Sequence, residues 1–544
     1  MLKKEIHLEK SGTLHKFLTS YEKDNVTHLI LSGHINSKDF DVLDDICSSN
    51  GKFIGEAPDN EFIITKNEPP YLTHLDMENC IMEGKTTLPY FTYYSKLEEV
   101  ILPKNVTKIG SDIDPVFENS YKLKKVIFPA TLKEISSCSF ANCDLQDIIL
   151  PENLESIGYY AFSGNKSIRH IKIPKNVSFL VGNTFGGCNI EKFELDDNNP
   201  HLSLIDGVIF SKDKTKLVAF PSGYKNDNYI IPNGTKTIGY AAFCNSKIKS
   251  ITFPPTLETI EDFAFETCYN IECMEIPNSV IELGKWAFRF CTSLKSVKLP
   301  DTMTILKENT FVGCNNLKEL EIPNSVKIIE QNALCCTHNL EKLILHDGLE
   351  EINDDLKFMK ISKVYIPKTV KKILSGTPML AQHSQIQFDV DIENQYLCSI
   401  NGSLYDKNMT ILISAYRQNA NTFIVPDGVK KIADYVFWYT KLETIVLPDS
   451  LTTLGHRCFE HCKLKEIRLP KSMTAIDFRA FGDCENLEKM MLYAEQPPEI
   501  TNPLSDCWKF MGESKKLILY VPKECVETYK SIKYWKDIKH IQAQ

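Results

Sequence analysis

The stretch GHRCFEHC at 455–462 carries the residue types that most often bind zinc. His456, Cys458, His461 and Cys462 offer two imidazoles and two thiols, and Zn²⁺ takes four such ligands in tetrahedral geometry. Both cysteines, however, fall on positions that recur throughout the chain. Cys462 stands fourteen residues after Pro448, and Cys458 takes the small position before an aromatic residue. We therefore interpret both as buried side chains, and we predict no metal site.

Two other fragments resemble functional motifs but fail on spacing or context. GKTT at 84–87 resembles the end of a phosphate-binding loop, yet the glycine required five residues before Gly84 is Asn79. GNTFG at 182–186 has the outline of a nucleophile elbow with threonine, but its Phe185 is an aromatic residue of a repeat. The sequence contains no GxSxG, GxGxxG or HExxH motif. We predict no catalytic residue and no cofactor.

These fragments lie within sequence repeats, which are clearest between residues 251 and 323. One pattern occurs there four times, as ITFPPTLETIEDFAFETC, MEIPNSVIELGKWAFRFC, VKLPDTMTILKENTFVGC and LEIPNSVKII. Counted from the proline, apolar residues stand three and six places later, phenylalanine eleven, cysteine fourteen, and the next proline 23. A fixed period of this length with one strand-like run per copy is typical of a leucine-rich-repeat solenoid. Each proline, having no N–H for a ladder, is predicted to end a strand.

The recurring cysteine is predicted to be a reduced, buried thiol. Equivalent positions stack in a solenoid, so a disulfide framework would have to join neighbouring coils along the whole spine. A small thiol packs well inside a coil as a hydrophobic side chain with a weak donor. The chain has 18 cysteines. Seven of them occupy the repeat position: Cys143, Cys188, Cys268, Cys291, Cys314, Cys462 and Cys484.

Length and charge restrict the classes of partner. A single compact core would not normally hold 544 residues, but a solenoid can, because each repeat contacts only its neighbours. The 62 Lys and Arg nearly balance the 71 Asp and Glu, and no block of like charge occurs. This argues against a nucleic-acid partner or an anionic membrane, which require a clustered basic face. No apolar run approaches the length of a membrane span.

The two ends depart from the repeat and are predicted to cap it. Residues 1–70 contain two helix-like segments around a strand-like THLILSG, and the repeats are expected over 71–492. The segment 493–544 ends in a strand and a helix in which Trp535 is expected to anchor the core. Asp-Gly and Asn-Gly pairs predict β-hairpin insertions near 197–225 and 392–420.

The outward face of the strands is the candidate binding surface. Side chains alternate along a strand, so the residue two places before each proline should face solvent. That position holds Ile101, Ile127 and Ile149 in the early coils, and Lys172, Glu275, Lys298 and Glu321 in later ones. An exposed isoleucine row flanked by charge is a candidate protein-binding site. The alternative is that the N-terminal segment or a loop covers this row.

Units such as LKSVKLPDTMTILKENTFVGCNN resemble the BspA-type leucine-rich repeats over roughly residues 72–492. The segment from Ser11 to Gly33 and the ending LYVPKECVETYK…YWKDIKHI also resemble the flanks of such proteins from the Bacteroides group. The resemblance implies a surface-exposed or secreted bacterial protein that binds host or bacterial proteins, with no catalytic residues. The N-terminus, MLKKEIHLEKSGTLHKFL, lacks the features of a signal peptide, which departs from that pattern and leaves a cytoplasmic location open.

Together these observations predict an α/β fold: a curved, right-handed leucine-rich-repeat solenoid of short parallel strands and short helical turns, with two β-hairpin insertions and two caps. The predicted function is non-enzymatic recognition of another protein or a surface glycan through the strand face and the insertions. The alternative is an intracellular structural or interaction scaffold. A signal peptide encoded upstream of Met1 would separate the two, and a hydrolase is a distant third.

Overall fold

The structure is a computed structural model that describes residues 2–47, 53–56, 62–64, 72–90, 96–111, 113–354, 356, 359–373, 386–417, 420–502 and 517–544, with backbone alone at 53–56 and 62–64. Parts of the two predicted caps, at residue 1, 48–52, 57–61, 65–70 and 503–516, lie outside the described residues. The chain divides into two compact units, Met1–Thr292 and Ser293–Gln544. Within each unit, short parallel strands stack coil on coil, which is the solenoid arrangement that the repeats predict.

One coil of the first unit illustrates why the sequence folds in this way. The strand Ser250–Thr252 stops just before Pro254, and the chain turns into a second strand, Thr259–Ile260. It then passes through tight turns that carry Phe265 and Cys268 before the next coil begins. The residues three, six, eleven and fourteen places after the proline are fully buried, namely Leu257, Ile260, Phe265 and Cys268. The repeat spacing is therefore the spacing of the side chains that form the interior.

Two rows of parallel strands run through the coils of each unit. The first-row strands, which precede the prolines or their substitutes, are Glu99–Ile101, Lys125–Ile127, Lys172–Ile173, Glu194–Leu195, Asn228–Ile230, Ser250–Thr252, Cys273–Glu275, Ser296–Lys298, Glu319–Glu321, Lys342–Ile344, Lys363–Ile366, Gln387–Val390, Thr422–Ile424, Thr444–Val446, Glu466–Leu469 and Lys489–Leu492. The second-row strands are Thr87–Leu88, Lys108–Ile109, Glu134–Ile135, Ser156–Ile157, Thr237–Ile238, Thr259–Ile260, Glu282–Leu283, Ile305–Leu306, Ile328–Ile329, Glu351–Ile352, Lys372–Ile373, Lys431–Ile432, Thr453–Leu454, Ala475–Asp477 and Glu499–Thr501.

The repeat phenylalanines stack on one another inside the coils. In the first unit, Phe140 lies between Phe117 and Phe162 with ring centroids 5.1 and 5.3 Å apart. In the second unit, Phe459 lies between Phe437 and Phe481 at 5.3 Å from each. Adjacent aromatic rings at such distances add to the stabilisation that their burial provides. The recurring aromatic thus forms a stacked column over successive coils in each unit.

The recurring cysteine also has a hydrogen-bonding role that joins neighbouring coils. The thiol of Cys268 donates to the carbonyl oxygen of Phe243 at 3.1 Å, and that of Cys291 donates to Phe265 at 3.1 Å. Where asparagine takes the position, Asn165 Nδ2 donates to the carbonyl oxygens of Phe140 and Phe162, at 2.7 and 2.8 Å. The position therefore selects a small side chain that can donate a hydrogen bond. None of the described cysteines is in a disulfide.

We expect these thiols to resist alkylation in the folded protein. Burial raises the pKa of the Cys268 thiol to about 12, so the reactive thiolate is scarce near neutral pH. Cys273 lies in the same unit and is exposed. Timed iodoacetamide labelling with peptide mass spectrometry should modify Cys273 quickly, and Cys268 only after unfolding in denaturant. Equal labelling rates for the two cysteines in the folded protein would contradict the burial of the recurring thiol.

The turns around each repeat phenylalanine contain residues with positive φ, which L-amino acids rarely adopt. One set lies two residues before the aromatic position: Cys138, Tyr160, Ala241, Phe263, Trp286, Asn309, Asn332, Tyr435 and Arg457. A second set lies two residues after it: Asn142, Gly164, Gly187, Asn245, Thr267, Phe290, Gly313, Cys336, Tyr439, His461 and Asp483. Glycine and asparagine adopt this conformation most easily. The other residue types carry a local conformational cost.

Two segments interrupt the parallel pattern with antiparallel strands. Leu202–Ile205 pairs with Val208–Ser211, and Asp206 and Gly207, both at positive φ, form the turn between them. Lys216–Ala219 then pairs antiparallel with Val208–Ser211 and parallel with the second-row strand Thr237–Ile238. The strands Leu397–Ile400, Ser403–Asp406 and Ile411–Ser414 have the same arrangement in the second unit. Each segment therefore rejoins the second row of strands.

The N-terminal segment continues the first-row sheet. Its elements are the strands Leu2–Leu8, Val26–Ile35, Phe53–Glu56, Phe62–Ile64 and His74–Met82, the 3-10 helix Leu14–Lys16, and the helices Ser20–Asn25 and Ser37–Cys47. Leu2–Leu8 and His74–Met82 pair parallel with Val26–Ile35 on either side. The strand Leu2–Leu8 is not among the elements predicted from the sequence. The carboxylate of Asp39, 1% exposed, accepts backbone hydrogen bonds from Gly12, Leu14 and Asn36.

The C-terminal segment has the strand and helix that the sequence predicts. Its elements are the strands Ile518–Val521 and His540–Ala543, the 3-10 helices Lys523–Cys525 and Trp535–Asp537, and the helix Val526–Ser531; one further 3-10 helix, Gly182–Phe185, lies in the first unit. The Trp535 side chain is fully buried, and its Nε1 donates to the carbonyl oxygen of Pro498 at 2.9 Å. Trp535 is therefore a core anchor, as predicted. Among the described residues, no helix has the length and apolarity needed to cross a membrane.

Candidate protein-interaction surface

The first-row strands show the alternation on which the candidate surface depends. In Lys125–Ile127 the central Val126 is buried, while the residues on both sides of it are exposed. Ser296–Lys298 in the second unit repeats this exposed, buried, exposed order. Backbone pleating sends successive side chains to opposite faces, so one residue in two must point outward. The prediction that the position two places before the proline faces solvent is correct for these strands.

The isoleucine strip, defined as Ile101, Ile127 and Ile149, lies on neighbouring coils of the first unit. Ile101 and Ile127 are paired in register between parallel strands, so the sheet brings these two side chains together. Ile101 is half-buried, Ile127 is 40% exposed and Ile149 is 86% exposed. Water disfavours exposed apolar surface by about 25 cal/mol per Å². The strip is therefore apolar surface that binding could remove from water.

Charged residues border the strip on the same face. Glu99 and Lys125 are register partners, and their side chains form an ion pair at 2.7 Å. Lys124 and Glu98, which come directly before these two strands, form a second ion pair at 3.0 Å. On the other side, Asp76 pairs in register with Ile101. The charges at this edge thus alternate in sign, which favours a rim for a protein contact over a site for a polyanion.

The predicted charged residues are all exposed, but they do not form one cluster. Lys172 Nζ lies 3.2 Å from the Asp196 carboxylate, and His346 Nε2 lies 2.8 Å from the Glu321 carboxylate. Glu275 belongs to the first unit, and Lys298 belongs to the second. Surface ion pairs of this kind contribute about 0–1 kcal/mol each. These four residues are therefore weaker candidates than the strip.

Two further exposed apolar residues, which were not predicted, occupy the same repeat position. Ile230 stands two residues before Pro232 and is 73% exposed. Ile424 stands two residues before Pro426, is 67% exposed, and pairs in register with the exposed Val446. Applying the two-before-proline rule to every coil would have found both. The second unit therefore has its own apolar pair on its strand face.

The apparent zinc ligands at 455–462 have different partners. Cys458 and Cys462 are buried, and the Cys462 thiol donates to the carbonyl oxygen of Phe437 at 3.0 Å. His456 Nδ1 lies 2.8 Å from Asp477, and His461 Nε2 lies 3.6 Å from Asp483. Burial raises the pKa of the Cys462 thiol to about 12. Across the described ranges, no group of three or more His, Cys, Asp or Glu side chains could hold a metal ion.

The fold of stacked coils agrees with a match between the sequence and a known family of repeats. Residues 87–216, 213–315, 262–387 and 414–507 match the family described as the BspA type leucine rich repeat region, in six copies. The matched segments cover more than half of the chain. The protein belongs to the BspA-type leucine-rich-repeat family. The resemblance of the repeats to this family, and the solenoid fold that it implies, are thereby confirmed.

Three solved structures similar to this BspA-type protein are leucine-rich-repeat proteins from bacteria. One from Eubacterium ventriosum is 22% identical, and the match covers 60% of this chain and 87% of that chain with a TM-score of 0.49. A leucine rich cell surface protein from Faecalibacterium prausnitzii is 24% identical over 52% of this chain and 76% of that chain, with a TM-score of 0.32. One from Bacteroides ovatus is 19% identical over 84% and 87%, with a TM-score of 0.29. No curated protein matches the chain in sequence.

Proposed function

We propose that this BspA-type protein is a non-enzymatic binding protein that recognises another protein through its strand face. The exposed isoleucine strip carries the proposal. Two of its members are in register on neighbouring strands, and Ile149 is 86% exposed. An apolar centre with a charged rim is the usual composition of a protein-binding surface. The two antiparallel insertions add further edges at which a partner could gain contacts.

The sheet pairing supports a partner over an internal cover for the strip. The strands Val26–Ile35 and His74–Met82 join the first-row sheet edge to edge, so they extend its strand face. An internal cover would have to lie across that face and would reduce the exposure of Ile127 and Ile149. We further propose that residues 1–70 and 493–544 cap a repeat domain of 71–492, because the terminal strands complete the sheet at both ends.

The proposed location is the cell surface or the secreted fraction, as the family resemblance implies, and the alternative is an intracellular scaffold. The two differ in whether the reading frame upstream of Met1 encodes a signal peptide. Fractionation of the producing cells, followed by immunodetection, would separate the alternatives directly. If the partner is instead a surface glycan, the protein should bind polysaccharide, and should not bind protein, in surface plasmon resonance.

The test replaces Ile101, Ile127 and Ile149 together by threonine. Threonine is also β-branched and keeps strand propensity, so we expect the variant to fold with unchanged stability. We expect it to lose binding to purified matrix proteins or bacterial surface proteins that the wild type binds in surface plasmon resonance. Thermal unfolding and light scattering would establish that fold and oligomeric state are unchanged.

The matched control replaces two exposed isoleucines outside the strip, Ile113 and Ile281, by threonine. Both are well exposed, at 86% and 64%, so the control removes comparable apolar surface. Binding should survive in the control. A loss of stability in the triple variant would show that the strip is covered within the chain. A triple variant that matches the wild type in stability, self-association and binding would leave the strip without a role.

A further inference from the structure

Two adjacent cysteines in the second unit lie outside the recurring thiol position. In the coil where Leu334 replaces the repeat phenylalanine, the recurring position is occupied by Thr337. The Thr337 hydroxyl donates to the carbonyl oxygen of Leu334 at 2.7 Å, so that coil already has its small buried donor. Cys335 and Cys336 precede it, and both are half-exposed. The coil interior therefore does not account for these two thiols.

The backbone holds the two sulfur atoms on the same side of the chain. Consecutive side chains of an extended strand point to opposite faces. Cys336 instead has a φ of 59°, and its Sγ lies 3.4 Å from that of Cys335. In some coils this left-handed position holds glycine or asparagine, as at Gly313 and Asn245, and in others it holds a larger residue such as Phe290. A thiol occupies it here and faces a second thiol.

The distance between the two sulfur atoms is closer to that expected when one atom binds both sulfurs than to the length of a disulfide bond. A disulfide brings its sulfurs to about 2.05 Å and usually joins residues with Cα atoms about 4.4–6.8 Å apart. Neighbouring residues have Cα atoms about 3.8 Å apart, so a disulfide here would be strained. One atom that binds two sulfurs at about 2.3 Å, with about 95–110° between the two bonds, holds them about 3.4–3.8 Å apart. The observed 3.4 Å is much closer to the bridged value.

We propose that Cys335 and Cys336 form a two-sulfur site for a single thiophilic atom, of the class represented by trivalent organoarsenicals. Such a compound, R–As=O, condenses with two thiols. Two As–S bonds form, the arsenic–oxygen bond breaks, and the oxygen leaves as water with the two thiol hydrogens. No oxidant or reductant is required. The organic group keeps its place on arsenic, so the protein needs to supply only the two sulfurs.

The test uses the full folded chain, reduced and then freed of reductant, with phenylarsine oxide as the probe. We expect one phenylarsenic group per chain by native mass spectrometry, stable to excess monothiol and removed by a small dithiol. Peptide mapping should place it on the peptide that contains Cys335 and Cys336. A single thiol cannot chelate, so Cys335→Ser and Cys336→Ser should each weaken binding by about a hundredfold or more.

Two further variants keep the result interpretable. Cys336→Gly suits the positive φ and removes the thiol, so it provides a second folded protein that should not retain the probe. Cys273→Ser removes an exposed cysteine of the first unit and should bind like the wild type. Retention of the probe by Cys336→Gly, or failure of the folded wild type to bind, would overturn the proposal.

Discussion

Replacing Phe288 by alanine is expected to lower the free energy of unfolding of its coil by about 3–5 kcal/mol. The side chain is fully buried, and its ring stacks on Phe265 with centroids 5.2 Å apart and planes 8° apart. Alanine would remove one ring from the aromatic column and leave a cavity that the neighbouring coils can close only in part. Repeat stability depends on the interfaces between neighbours, so the loss should extend to the preceding coil, which holds Phe265.

The measurement is native-state hydrogen exchange, which reports the opening free energy of each coil separately. Phe290→Ala is the matched control, because Phe290 belongs to the same coil but is 39% exposed. Its ring lies 4.7 Å from the Arg289 guanidinium, an interaction that contributes about 0.5–1 kcal/mol at an exposed site. Equal losses in the two variants would contradict the assignment of inward and outward positions in the repeat.

Replacing Glu460 by alanine is expected to cost the second unit a similar amount, about 3–5 kcal/mol. This carboxylate is 1% exposed and accepts hydrogen bonds from Trp438 Nε1 at 2.8 Å and from Arg457 at 3.0 Å. Arg479 lies 2.8 Å from its other oxygen. Removing the carboxylate leaves two mostly buried guanidinium groups without their shared counter-charge. An unpaired buried charge costs much more than a lost surface ion pair.

Glu466→Ala provides the control within the same unit. Its side chain is 52% exposed and lies 3.6 Å from Arg468, so its loss should cost less than about 1 kcal/mol. The cost of Glu460→Ala should persist in high salt, because buried pairs are poorly screened. Chemical denaturation at low and high salt would measure both effects. Similar, salt-sensitive losses for the two variants would mean that the Glu460 network is open to solvent.

The sequence by itself determined the repeating coil and its interior. Each coil contacts only its neighbours, so the spacing of proline, leucine, phenylalanine and cysteine within one copy fixes most of what each residue touches. This is why the burial of Phe265 and Cys268 and the exposure of Ile127 could be predicted. The strand face followed from alternation alone, and so did the candidate isoleucine strip. The missed Ile230 and Ile424 obey the same rule.

Only the tertiary structure decided features that depend on which coils become neighbours. The coils before and after the insertion near 197–225 contact each other directly, because the backbone N–H of Gly182 donates to the carbonyl oxygen of Tyr240. A Cβ on Gly182 would lie 2.1 Å from the carbonyl oxygen of Ala241, which explains the glycine. This stacking lets the Tyr160 hydroxyl donate to the buried Glu266 at 2.8 Å, although the two residues are far apart in sequence. No local pattern contains such a pairing.

The Glu460 network and the Cys335–Cys336 pair were decided at the same level. Glu460 is stabilised by residues from the coils on both sides, and their side chains meet only when the coils stack in register. The two sulfurs are adjacent because Cys336 adopts a positive φ. Cysteine rarely adopts this conformation, and here the turn imposes it. Periodic spacing fixes which side chains enter the coil. Stacking and turn conformation fix which side chains meet outside its repeating interior.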